Sequence, residues 1–144
     1  MKYHFKIHKE GRGYWAECIE LKGCNTEANN KKQLKKNMRE ALNVFLDDPP
    51  NSDAVFHLPV PSLHGRNIVA VAADPKIAFA FYLRIVRLSH GLTQKEASKK
   101  LGFKNIFSYQ RLEASRTANP QLATIIELKK IFPDFKLEYI LSNS

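Results

Sequence analysis

Polar and apolar residues alternate strictly from Lys2 to Lys9: Tyr3, Phe5 and Ile7 share one side, Lys2, His4, Lys6 and His8 the other. A period of two is that of a strand with one buried face. Glu10-Gly11-Arg12-Gly13 supplies turn chemistry, and Tyr14–Ile19 reads as the returning strand of a hairpin. Leu21-Lys22-Gly23-Cys24 makes a further turn into a short third strand around Cys24–Glu27. The period then changes. Leu34, Met38, Ala41, Leu42 and Phe45 recur at spacings of three and four, the stripe of an amphipathic helix. Asn30, with Gln33 three residues on, has the capping-box arrangement that starts one. The opposite face carries Lys31, Lys32, Lys35, Lys36, Arg39 and Glu40, and Asp47-Asp48-Pro49-Pro50 stops the helix.

Residues 47–64 hold four of the seven prolines and little periodicity, which predicts a linker with a short extended piece near Val55–Leu58. Asn67–Ala72 reads as one more strand, and Asp74-Pro75 opens a helix with a capping Asp and a first-turn Pro. From there the pattern is helical: 75–90, 93–101, 105–114, 120–132 and 135–141. Strands and helices segregate along the chain, so an α+β protein of two small domains is expected, residues 1–64 with the linker and an all-α unit over 65–144.

Charge sharpens that division. The net charge is +9, with 10 Lys/Arg against 8 Asp/Glu in residues 1–64 and 13 against 6 in residues 65–144. A basic second half favours phosphate-rich partners. At 44% hydrophobic residues the chain can build a packed core. It shows no signal-peptide run and no apolar stretch of the ~18 residues that a membrane span needs. A soluble, cytoplasmic protein with Cys18 and Cys24 as free thiols is the expectation.

The segment Leu92-Thr93-Gln94-Lys95-Glu96-Ala97-Ser98-Lys99-Lys100-Leu101-Gly102-Phe103 carries the most information. Thr93 and Glu96 form a capping box, Ala97 is small where two helices must cross, and Gly102 permits the left-handed turn that ends a helix. Asn105 can cap a second helix, with Tyr109 and Leu112 facing inward. This is helix, tight turn, helix, the arrangement that lays an exposed helix in a major groove. "LTQKEASKKLGF" with "SYQRLE", followed by Asn119-Pro120 and another apolar-periodic helix, resembles the five-helix repressor-type helix-turn-helix of phage repressors. The resemblance implies that Gln94 contacts phosphate and that the exposed face of residues 105–113 reads bases. The turn Phe103-Lys104-Asn105 is one residue longer than the family's commonest form, which leaves the register open by one position. On this register Asn105, Phe107, Ser108, Gln110 and Arg111 lie at the DNA, with Lys95, Lys104 and Arg116 on phosphates. Arg and Gln suit paired hydrogen bonds to guanine and adenine. Between Arg84 and Arg116 stand eight basic residues and two acidic ones, as a phosphate-binding face requires.

The first 46 residues carry a second resemblance. "GYWAECIELKGCNT" followed by "REALNVFL" is similar to the N-terminal domain of HicB antitoxins, though Ala28 stands where Gly is usual and Asn30 where Thr is usual. It implies a truncated RNase H-like ββ(β)α fold that masks a HicA-type RNA-cleaving toxin, beside a helix-turn-helix that represses the operon. A toxin that grips RNA should be basic, so Glu10, Glu17, Glu20 and Glu27 are candidate toxin contacts, or else ordinary surface charges. The alternative is a stand-alone repressor whose first domain senses a ligand or oligomerises.

Catalysis and cofactors are not expected. Two-metal cleavage needs converging carboxylates, and no Asp occurs before Asp47. Cys18 and Cys24 are spaced too widely for a common zinc loop, and His4 and His8 share a strand face with Lys2 and Lys6 that points to solvent. The helix over 75–90 has more apolar surface than one stripe needs, which suggests a homodimer or higher oligomer through residues 66–83, or a helix buried on two sides.

Overall fold

A computed structural model of the chain describes residues 1–47 and 56–141. It is mixed α+β, with a four-stranded antiparallel sheet and six helices among those residues. Two compact units can be separated, residues 1–46 with 56–74, and residues 75–141 with Asp47.

In the first unit, β1 (Lys2–Glu10) and β2 (Gly13–Cys18) form the expected hairpin, with Glu10 opposite Gly13. Gly11 turns it at φ +57°, a conformation that a Cβ would strain. β3 (Asn25–Ala28) pairs with β2, and α1 (Lys31–Leu46) crosses the sheet. The Asn30 side chain accepts a bond from the Gln33 amide at 2.8 Å, so α1 starts where its cap is placed. Leu34, Met38, Leu42 and Leu46 are buried against Tyr3, Phe5, Ala16 and Cys18, which form the core face of the sheet.

The strand β4 (Ile68–Ala72) corrects the expected division at residue 64. It pairs antiparallel with β1, Tyr3 opposite Val71 and Phe5 opposite Val69, so the sheet order is β3-β2-β1-β4. The first unit therefore runs to Asp74, because a strand's unpaired backbone groups and half-apolar face are satisfied by a neighbouring strand rather than by helices. Residues 56–60 form no strand, and the rest of the expected extended piece, Val55, lies outside the described residues.

The second unit is helical: α2 (Pro75–Ser89), α3 (Gln94–Lys100), α4 (Ile106–Gln110), α5 (Leu122–Ile131) and α6 (Glu138–Leu141). Phe79 and Tyr82 of α2 hold the fully buried Phe135 between them, with ring centroids 6.0 and 5.0 Å away. Leu83, Ala97, Tyr109, Leu128 and Phe132 complete the interior. The apolar excess of α2 is buried within the chain, continuously from Ala78 to Arg84, so this part of the expected 66–83 oligomer surface is not exposed.

Candidate nucleic-acid interface

The α3–α4 segment is set by local chemistry. Thr93 Oγ1 accepts from the Glu96 amide at 3.1 Å and Glu96 Oε1 from the Thr93 amide at 3.2 Å, the reciprocal box. The Thr93 amide bond, then the hydroxyl, holds the Glu96 carboxyl below its usual pKa. At the other end Gly102 takes φ +76°, its amide bonds the Lys99 carbonyl at 3.0 Å, and Phe103 bonds Ser98 at 3.1 Å. That is a Schellman closure, and it reverses the chain in two residues. Ala97 is fully buried at the crossing, and the neighbouring Ser98 hydroxyl donates to the Asn105 carbonyl. Asn105 Oδ1 then accepts from the Ser108 amide at 3.1 Å and starts α4.

A buried polar network underlies this segment. Glu113, 2% exposed, accepts from Arg87 Nε at 2.6 Å and Nη2 at 3.2 Å, and from the Tyr109 hydroxyl at 2.6 Å. Burial first, and the adjacent Glu113 charge next, keep Tyr109 in its phenol form far above the usual range. Gln94 Nε2 donates to the same carboxylate at 2.9 Å, and Gln94 Oε1 accepts from Gln110 Nε2 at 3.2 Å. The carboxylate thus holds Gln94 directly and Gln110 through it, which limits the rotamers the two can sample at the surface. Arg-Leu-Glu is part of the sequence motif, but local pattern gives no role to Arg87 or Glu113. Their signal was an Arg in the apolar run of α2 and a Glu spaced one turn from Tyr109.

The expected site residues fall into two sets. Phe107 is 70% exposed, Arg111 is exposed at the end of α4, and Ser108 and Gln110 are half-buried beside them. Lys95, Lys104 and Arg116 are exposed and Gln94 is half-buried. Asn105 is exposed, but its side-chain oxygen is committed to the cap. The helix expected over 105–114 is one turn and a half: α4 ends at Gln110, and the Thr117 hydroxyl takes the Arg111 carbonyl at 2.7 Å. Arg116 accordingly sits in the turns after α4, not on it. An exposed ring, guanidinium and ammonium beside a half-buried amide can offer stacking or methyl contact, paired donors and phosphate neutralisation.

In the first unit the strand register places Glu10, Glu17 and Glu27 on the sheet face opposite α1, in the rows of Lys6, His8 and Trp15. Trp15 stacks on His8 with centroids 4.0 Å apart, and His8 Nε2 lies 3.1 Å from Glu17. Glu20 joins this face through His4: its carboxylate accepts from the His4 amide at 2.8 Å and lies 3.1 Å from Nδ1. His4 is therefore buried, 6% exposed, rather than solvent-facing as its alternation suggested. Glu20 supplies partners for both nitrogens that the strand alone would leave bare. Cys18 lies across from Phe5 on the other face, away from both histidines, and Cys18 and Cys24 are free and buried. Among the described residues no helix is long and apolar enough to cross a membrane. No protein-family model and no curated protein sequence matches this chain.

Proposed function

We propose that the chain is an antitoxin and autorepressor: a helix-turn-helix formed by α3 and α4 binds operator DNA, and the first unit binds and neutralises a HicA-type toxin. One observation carries the DNA-binding half. Both helices are capped, the turn between them is closed, and the Arg87–Glu113–Tyr109 network anchors Gln94 and Gln110 beside exposed Phe107 and Arg111. Such rigidity beneath an exposed basic surface is what base readout needs. In this reading Arg111, Gln110 and Phe107 meet base edges, while Lys95, Lys104 and Arg116 neutralise phosphates.

The toxin-binding half rests on the HicB resemblance of residues 1–46, and the antiparallel sheet with one covering helix is compatible with the truncated RNase H-like fold which that resemblance implies. Glu10, Glu17 and Glu27 on one sheet face beside Trp15 support an acidic-aromatic surface for a basic partner, whereas the Glu20 carboxylate, 6% exposed, is committed to His4. Operators of two-fold symmetry are read by dimers. The exposed apolar side chains that suit a second copy are Leu122, 74% exposed, and Ile126, 49% exposed, one turn apart on α5.

The test is a gel shift with the protein's own promoter DNA, together with co-expression beside the small basic reading frame adjacent to the gene. A specific shift plus rescue from that frame's toxicity is expected. A shift without rescue leaves a stand-alone repressor, and no shift removes the DNA-binding half.

A further inference from the structure

On the helix side of the first unit lies a groove of about 1310 Å³ between α1 and the core face of the sheet beyond it. Its floor is apolar, formed by Ile7, Met38, Val69 and Val71. Its walls are cationic: Lys31, Lys32, Lys35, Lys36 and Arg39 from α1, and Lys9 from β1. The one acidic lining residue, Glu40, is engaged by Lys36 at 3.7 Å. At one end the half-buried Tyr14 ring lies in the lining, with the Lys31 ammonium 5.8 Å from its centroid.

We propose that this groove binds a single-stranded nucleic acid, and RNA is the form to be tested. Lys31, Lys35 and Arg39 stand at i, i+4 and i+8, so successive cations are about 6 Å apart along the helix. That row can follow the successive phosphates of an extended strand, while the apolar floor and the Tyr14 ring take bases. A cationic track with an aromatic platform is the pairing by which single strands are held without sequence readout. A folded basic toxin is excluded from this side by charge, whereas the acidic glutamate face lies on the opposite side of the sheet. A duplex is disfavoured because its bases are stacked inside and cannot reach an apolar floor.

The observation is independent of the operator-binding reading, and the test separates the two. Full-length protein is titrated into a fluorescein-labelled twelve-residue oligouridine, read by anisotropy, and separately into promoter duplex. The expected slope of log affinity against log salt is about −2 to −4, from roughly −0.7 per neutralised phosphate. K35E with R39E, both exposed positions, is expected to weaken oligouridine at least tenfold and leave the promoter shift intact. Tyr14→Leu is expected to weaken it about tenfold through lost stacking, with thermal unfolding confirming that the variant folds. Arg111→Ala with Lys104→Ala is expected to leave oligouridine binding unchanged. The proposal is overturned if oligouridine binding is lost with the Arg111 and Lys104 pair and retained in K35E with R39E. It is also overturned if a poly-glutamate of equal length competes as well as unlabelled oligouridine, since the groove would then be a site for acidic peptide.

Discussion

Glu113 shows how much a single residue can hold. It is a buried carboxylate that meets the Arg87 guanidinium, the Tyr109 hydroxyl and the Gln94 amide. Removing one partner of a buried pair strands the other charge, so Glu113→Ala should destabilise the protein by about 3–5 kcal/mol, read as a loss in chemical denaturation. Arg87→Met added to Glu113→Leu should recover much of that stability, because the charge no longer needs a partner. The same double variant should still bind DNA poorly, since Gln94 and Gln110 lose their anchor. At the surface the roles divide. Arg111→Ala should weaken promoter binding by about 1–3 kcal/mol and relax preference at one base pair. Lys104→Ala should weaken all duplexes about equally and reduce the salt slope by roughly one. Equal behaviour of the two variants across mismatched promoters would show that the register along α4 is shifted by one position.

The elements of the second unit are short, and their ends matter more than their middles. α3 has seven residues and α4 five, below the length at which a helix stands without help. Their capping is therefore a large share of what keeps them. Gly102→Ala places a Cβ at φ +76° and should cost about 1 kcal/mol, seen as a lower Tm, though no heavy atom lies within 4 Å of that Cβ. The penalty is conformational, not steric. Glu96 links α3 to pH. Its folded pKa lies below the unfolded value, so its stabilisation is present above the ordinary carboxylate range of about 4.3 and is lost as acid titrates the folded group. Glu96→Gln should flatten the dependence of Tm on pH between about 3 and 5. An unchanged acid profile would mean that other carboxylates dominate it.

For the whole molecule, the proposed reading of a two-fold operator calls for a second copy. α2, richest in apolar residues, is buried through most of its length, while Leu122 and Ile126 form an exposed apolar pair one turn apart on α5. Ile126→Glu should shift the full-length protein toward monomer in sedimentation velocity and weaken promoter binding more than it weakens thermal stability. A wild-type chain that sediments as a monomer at the concentrations used for DNA binding would remove the dimer.

What the sequence determined by itself is whatever depends on near neighbours. The alternation of Lys2–Lys9, the Asn30, Thr93 and Asn105 caps and the Gly102 reversal are each settled within a few residues, and each element stands where those signals put it. Tertiary structure decided the partners. Periodicity says that Ile68–Ala72 has a buried side but not that β1, more than sixty residues earlier, pairs with it. It marks His4 as polar but not that Glu20 would allow its burial, and it cannot show that Arg87 and Glu113 meet across 26 residues. Nor can it gather three glutamates on one sheet face and leave a cationic groove on the other. A residue's pattern records which way it faces; what it faces is set by distant chain that must first be brought there, where the cost of an unpaired polar group selects the arrangement.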